Sequence, residues 1–133
     1  MELIRANQVS REFLVSFLQG HEHVNEHQLL DKGYVVVKND RLIGCFVLNE
    51  VEDDQIWLQQ LYMIKEEAIK LPILIETILT LAKQQAPTTI YVNSHQSLVD
   101  IILDSLQFRQ ETEGIWLDGT YRSTGKWWTY PIT

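Results

Sequence analysis

The stretch Tyr34-Val35-Val36-Val37-Lys38-Asn39-Asp40-Arg41-Leu42-Ile43-Gly44-Cys45-Phe46-Val47-Leu48 constrains the fold more than any other part of the chain. Its first arm, Tyr34 to Lys38, is β-branched and apolar, its second, Leu42 to Leu48, is again apolar, and Asn39-Asp40 between them is a two-residue turn pair. An antiparallel hairpin is the natural expectation. Gln55 to Ile64 should lie beside the second arm as a further strand. Its alternation puts Ile56, Leu58, Gln60 and Tyr62 on one face and Trp57, Gln59, Leu61 and Met63 on the other.

The flanking segments alternate between helical and extended spacing. Met1 to Ala6 reads as a first strand. Phe13, Leu14, Phe17 and Leu18 recur three and four residues apart, on a helix that Gly20 stops. His21 to Lys32, anchored only by Val24, Leu29 and Leu30, predicts a short second helix closed by Gly33. After the charged run Lys65 to Lys70, Pro72 fits a first helical turn, and Ile75, Ile78, Leu79 and Ala82 form a stripe ending before Pro87. Thr88 to Asn93 reads as a strand. Ser97 and Asp100 have capping-box spacing, followed by an apolar face of Leu98, Ile101, Ile102 and Leu106. Phe108 to Leu117 and Lys126 to Ile132 are expected as two last strands around a glycine-rich turn. A meander followed by a strand-helix-strand crossover predicts one α/β domain over 1–133, with a mixed, mostly antiparallel central sheet and helices on both faces.

Composition narrows the class of partner. The 133 residues are 45% hydrophobic and 22% charged, as in ordinary globular proteins. A formal net charge of -7 opposes affinity for nucleic acid or an anionic membrane surface. The single cysteine, Cys45, forms no internal disulfide, and the start Met1-Glu2-Leu3-Ile4-Arg5 is no apolar signal, so a cytoplasmic location is expected. No stretch approaches the roughly 18 apolar residues of a membrane span.

The element order, with Ile43-Gly44 opening the hairpin's second strand, resembles the GNAT superfamily of acyl-CoA-dependent N-acyltransferases. Leu61-x-Met63 looks like the end of that family's fourth strand, and Ile102-Leu103-Asp104-Ser105-Leu106-Gln107-Phe108 like the end of its fourth helix. The resemblance implies acetyl-CoA or CoA as cofactor and a small-molecule amine as acceptor. The cofactor's pantetheine arm would run along the backbone of Met63 and Ile64, with Lys65 or Lys70 meeting its phosphates. The alternative is a non-catalytic relative that uses the same sheet to bind a small molecule or another subunit.

Three places differ from the family pattern. Its glycine-rich pyrophosphate loop is replaced by Ala68-Ile69-Lys70-Leu71-Pro72-Ile73, and no glycine occurs from Met63 to Thr80. Amides there carry side chains that crowd a phosphate, and Pro72 removes one donor, so weak CoA affinity is expected. Leu103 stands where the resemblance implies a tyrosine that protonates the leaving thiolate, leaving Tyr62, Tyr121 or Tyr130 as substitutes. Gln96 falls where an asparagine often contacts the cofactor.

The remaining constellations each have a plain reading and a chemical one. The acidic cluster Glu50, Glu52, Asp53 and Asp54 could attract a cationic amine, and Glu50 is the candidate catalytic base; a solvated turn explains the same residues. His23 and His27, one helical turn apart as in metal pairs, lack a third ligand or a metalloprotease glutamate, so no metal is expected. Trp57, Trp116, Trp127, Trp128, Tyr62, Tyr121 and Tyr130 could fill the core, line a groove or pack a homodimer interface. Adjacent Trp127 and Trp128 must face opposite sides of one strand. Cys45 reads as a small buried hydrophobe.

Overall fold

The computed structural model describes residues 1–21, 23–51 and 54–132. In chain order they form β1 (Glu2–Arg5), α1 (Arg11–Gln19), α2 (Glu26–Lys32), β2 (Gly33–Lys38), β3 (Arg41–Val51), β4 (Gln55–Met63), α3 (Leu71–Lys83), β5 (Thr89–Ser94), α4 (Ser97–Ser105), β6 (Arg109–Glu111), β7 (Ile115–Leu117), β8 (Thr120–Arg122) and β9 (Lys126–Pro131). Short 3-10 helices occupy Ala6–Gln8 and Lys65–Lys70. The main sheet has the order β1-β2-β3-β4-β5-β9-β6, and β7 pairs with β8 separately. Antiparallel pairing joins β1 to β2, β2 to β3, and β9 to both β5 and β6. β4 and β5 are parallel, as the α3 crossover requires. The mixed sheet agrees with the sequence reading. Among the described residues no helix is long and apolar enough to cross a membrane.

The chain condenses into two compact units, Met1–Leu48 with Gln59–Leu71, and Asn49–Leu58 with Pro72–Thr133. In the first, Lys38 pairs with Arg41 across Asn39 (φ 51°) and Asp40 (φ 61°), two left-handed residues that match the twist of the flanking strands. The expected hairpin is present. Its register shifts between Val36, opposite Gly44, and Val37, opposite Leu42, which leaves Ile43 as an extra residue. The Ile43 carbonyl accepts the Ile64 N–H at 2.8 Å. Beside it a Cβ on Gly44 would lie 2.5 Å from the Tyr62 carbonyl oxygen, so only glycine admits this strand approach.

Ser10 caps α1 by accepting the Phe13 N–H at 3.3 Å, and Leu14 and Phe17 are buried. The second helix begins later than the spacing predicts. Asn25 accepts the Gln28 N–H at 3.0 Å and so starts α2 at Glu26, because asparagine is among the best N-caps. His23 therefore precedes the helix that carries His27, and the two do not share a helical turn. In β4 the predicted alternation is interrupted at Gln60, whose φ of 52° breaks the extended pleat.

In the second unit β4 pairs with β5 from Gln55 opposite Thr89 to Leu58 opposite Val92. Pro72 is in the first turn of α3, and Ile75, Ile78, Leu79 and Ala82 are buried, as the stripe predicts. Trp127 and Trp128 are both buried on β9. Trp127 packs with Ile115, Leu117 and Trp57, while the Trp128 indole donates to Asp100 on α4, so the opposed orientation holds and both indoles are covered. Three expectations are corrected. Phe108 to Leu117 is not one strand: Gly114 (φ 91°) separates β6 from β7, and Asp118 (φ 53°) with Gly119 (φ 72°) turns β7 into β8. The capping box does not form, since Gln96 is the N-cap residue and makes no side-chain bond there. The inward face of α4 is Val99, Ile102 and Leu103, whereas Leu98 and Ile101 are exposed; burial of those three side chains sets this orientation, and the Asp100 bond to Trp128 is consistent with it.

Candidate functional site

The segment that ends β4 gathers the residues predicted for cofactor contact. Met63 is half-buried, Ile64 is buried, and Lys65 is exposed. The Ile64 N–H is already used by Ile43. The following six residues wind into a 3-10 helix in which Glu67 N–H donates to Ile64 and Leu71 N–H to Ala68. Its chief electrostatic feature is Glu67, held by Lys38 at 2.9 Å and by Lys70 at 3.2 Å. Hydrogen bonds from Lys38 and then Lys70 keep the Glu67 carboxyl below its ordinary value. Lys70 is thus engaged, and Lys65 is exposed with no ion pair among the described residues.

Immediately before Met63, Tyr62 carries a cluster of rings that sequence reasoning missed. His21 lies 4.5 Å and His23 5.1 Å from its ring centre, and His21 also packs 4.6 Å from Phe17. Burial first, then Glu66 and Cys45, push the Tyr62 phenol above its ordinary pKa. Around the Gln60 kink, Asn25 N–H donates to the Gln60 side-chain carbonyl at 2.6 Å. The Gln60 amide donates to Gln28, which donates to Gln59 at 3.2 Å. The Cys45 thiol donates to the Gln60 backbone carbonyl at 3.6 Å. Burial pushes that thiol up to about 12, so it is no nucleophile near neutral pH. The one local signal for the ring cluster was Phe17 and His21, four residues apart at the end of α1.

The second unit holds the other candidates. Glu50 is exposed and lines a cavity of about 90 Å³ with Val51, Asp54, Gln55, Ile56, Gln85 and Pro87. Asp54 is in a left-handed turn whose carbonyl accepts the Thr88 N–H at 2.8 Å. Glu52 and Asp53, the rest of the predicted acidic cluster, lie outside the described residues. Met63, Ile64, Lys65 and Lys70 lie along one segment, and Glu50 lies in β3. Leu103 is fully buried and has no proton to give. Among the substitute phenols, Tyr121 donates to the Glu113 carbonyl, and Tyr130 packs on Phe108 and under Lys83. Gln96 bonds through its backbone to Ser94 Oγ. Among the described residues no group of three metal-ligating side chains converges.

No protein-family model matches the sequence, and no curated protein matches it. Solved structures do match the fold. An acetyltransferase of the GNAT family from Staphylococcus aureus Mu50 superposes with a TM-score of 0.73 at 14% identity, covering 99% of each chain. A Bacillus subtilis acetyltransferase in complex with CoA gives 0.73 at 13% identity, again over 99% of each chain. A GNAT-family acetyltransferase from Elizabethkingia anophelis with acetyl-CoA bound gives 0.63 at 17% identity, over 98% of this chain and 96% of that one. From β1 to β9, the chain has the fold of the GNAT acetyltransferases.

Proposed function

We propose that the protein is an acyl-CoA-dependent N-acyltransferase that transfers an acetyl group to a small-molecule amine. The observation that carries this reading is the end-to-end likeness to a CoA-bound acetyltransferase, including the strand whose end holds Met63 and Ile64. In this reading the pantetheine arm follows the backbone of those two residues. Lys65 meets the phosphates directly, and Lys70 does so on releasing Glu67. Glu50 and the net charge of -7 draw an ammonium toward the protein.

The donor segment fits CoA in part. It supplies an exposed cation and an extended strand end, but its 3-10 winding turns amides inward and Glu67 neutralises nearby lysine charge. That feature and the buried Leu103 favour the second reading, a non-catalytic protein of the same fold. Calorimetry with CoA and acetyl-CoA separates the two. Binding weaker than micromolar, with thiol release when an amine is added, is expected for the enzyme. No binding at millimolar CoA would leave the non-catalytic reading.

A further inference from the structure

His21, His23 and Tyr62 form the densest group of titratable rings among the described residues, and no part of the proposed function uses them. They lie in the same compact unit as Met63 and Ile64, and Tyr62 adjoins Met63 in β4. The main chain and the ring of His21 are both held. Its backbone N–H donates to the Leu18 carbonyl at 3.0 Å, its backbone carbonyl accepts the Val24 N–H at 3.1 Å, and its ring packs between Phe17 and Tyr62. The residue nonetheless remains partly exposed. A base must combine a fixed ring with an open approach, and His21 has the packed ring and the partial exposure. Glu50 is exposed, with no ring packed against it among the described residues.

Resting on the acyltransferase reading, we propose that His21 is the general base that takes the ammonium proton from the acceptor, with His23 and Tyr62 completing the site. The imidazole accepts one proton from R–NH3⁺, and the freed lone pair forms the C–N bond to the thioester carbonyl carbon. Collapse of the tetrahedral adduct breaks the C–S bond. The Tyr62 hydroxyl protonates the departing sulfur and regains a proton from the new amide nitrogen. The imidazolium then returns its proton to solvent, so the products are amide, thiol and H⁺. A phenol raised above its ordinary pKa stays protonated near neutral pH, as a donor must.

The test measures thiol release from acetyl-CoA with tyramine and with spermidine as probe amines. His21→Phe retains a ring between Phe17 and Tyr62 but cannot accept a proton. His21→Ala leaves a space that free imidazole can enter. We expect both variants to lose about 100-fold or more in kcat. Acetyl-CoA affinity by calorimetry should be unchanged, the Tm of His21→Phe should stay near wild type, and added imidazole should restore part of the His21→Ala rate. Wild-type turnover with an equally active His21→Phe overturns the assignment while leaving the acyltransferase reading intact. Acetyl-CoA binding without thiol release from either amine overturns the assignment as well. Failure of the wild type to bind acetyl-CoA removes the reading on which it rests.

Discussion

The indole nitrogen of Trp128 donates to Asp100 Oδ1 at 2.9 Å, tying β9 to α4, while Lys126 approaches the other carboxylate oxygen at 3.5 Å. Burial alone pushes the Asp100 carboxyl up, but hydrogen bonds from Ser94 and Trp128 and the charge of Lys126 outweigh it and hold the carboxyl below its ordinary value. A lowered folded pKa stabilises the protein above the unfolded value, near 4, and that contribution is lost as pH falls through the folded value. Trp128→Phe keeps an aromatic ring but removes the donor together with the pyrrole part of the buried indole. It should cost about 1–2 kcal/mol in urea denaturation at pH 7. The gap to wild type should shrink on acidification below pH of about 4; a gap of equal size at pH 3 would mean that the charged carboxylate is not what the indole recognises.

Gly44 meets β4 at a spacing no side chain fits. The nearest atom to a Cβ there is the Tyr62 backbone oxygen at 2.5 Å, which cannot swing aside as a flexible side chain would. Gly44→Ala should therefore destabilise by about 1–3 kcal/mol, through displacement of β4. Because Tyr62 sits at that contact, the substitution should also lower activity. Gly20→Ala, with its nearest atom 3.9 Å away, is the control expected to leave both nearly unchanged.

How much of this was legible in the sequence depended on how local the signal was. The hairpin at Asn39-Asp40 and the stripe of α3 were readable because turn residues and apolar spacing act over a few positions. In α4 the run Leu98, Val99, Ile101, Ile102 and Leu103 is apolar nearly all round, so spacing alone could not choose the inward face. Burial of Val99, Ile102 and Leu103 chose it, and the Asp100 bond to Trp128, far along the chain, is consistent with it. The β7-β8 hairpin was hidden by the shortness of its three-residue arms, although Asp118-Gly119 is a turn pair. Beyond the local spacing of Phe17 and His21, the ring cluster was hidden as the α4 face was: Tyr62 reaches both only through the fold.

The rotation of α4 sets two opposite expectations for apolar residues two positions apart. Leu103→Ala opens a cavity at a fully buried site and should cost about 2–5 kcal/mol. Leu103→Tyr, which puts a phenol at that position, should overpack and destabilise by about 1–3 kcal/mol without raising the acetyl-transfer rate. Ile101→Ser, on a residue 66% exposed, should change stability by less than about 0.5 kcal/mol. Equal losses at Ile101 and Leu103 in thermal denaturation would show that the inward face is not Val99, Ile102 and Leu103.

Cys45 offers a chemical check on the same unit as the ring cluster. Only the thiolate reacts with iodoacetamide, and burial has pushed this thiol up to about 12. The folded protein should resist alkylation at pH 8 for hours and react fully in denaturant, read by the mass shift. Rapid labelling of the native protein would mean that β3 opens at Cys45 without global unfolding.

Glu67 sets how much positive charge the β4 end can offer a phosphate. Lys38 and Lys70 both turn to it, so the carboxylate holds two ammonium groups that could otherwise face an anion. Glu67→Gln keeps the side-chain length and removes the charge, freeing both lysines. If CoA phosphates meet this segment, the variant should bind CoA roughly threefold or more tightly at low salt, the gain fading as ionic strength screens the added charge. Lys65→Ala should weaken binding, since Lys65 is the exposed cation with no ion pair among the described residues. Calorimetry of wild type and both variants at two salt concentrations decides the matter. Unchanged CoA affinity in Glu67→Gln and Lys65→Ala alike would place the phosphates away from the end of β4.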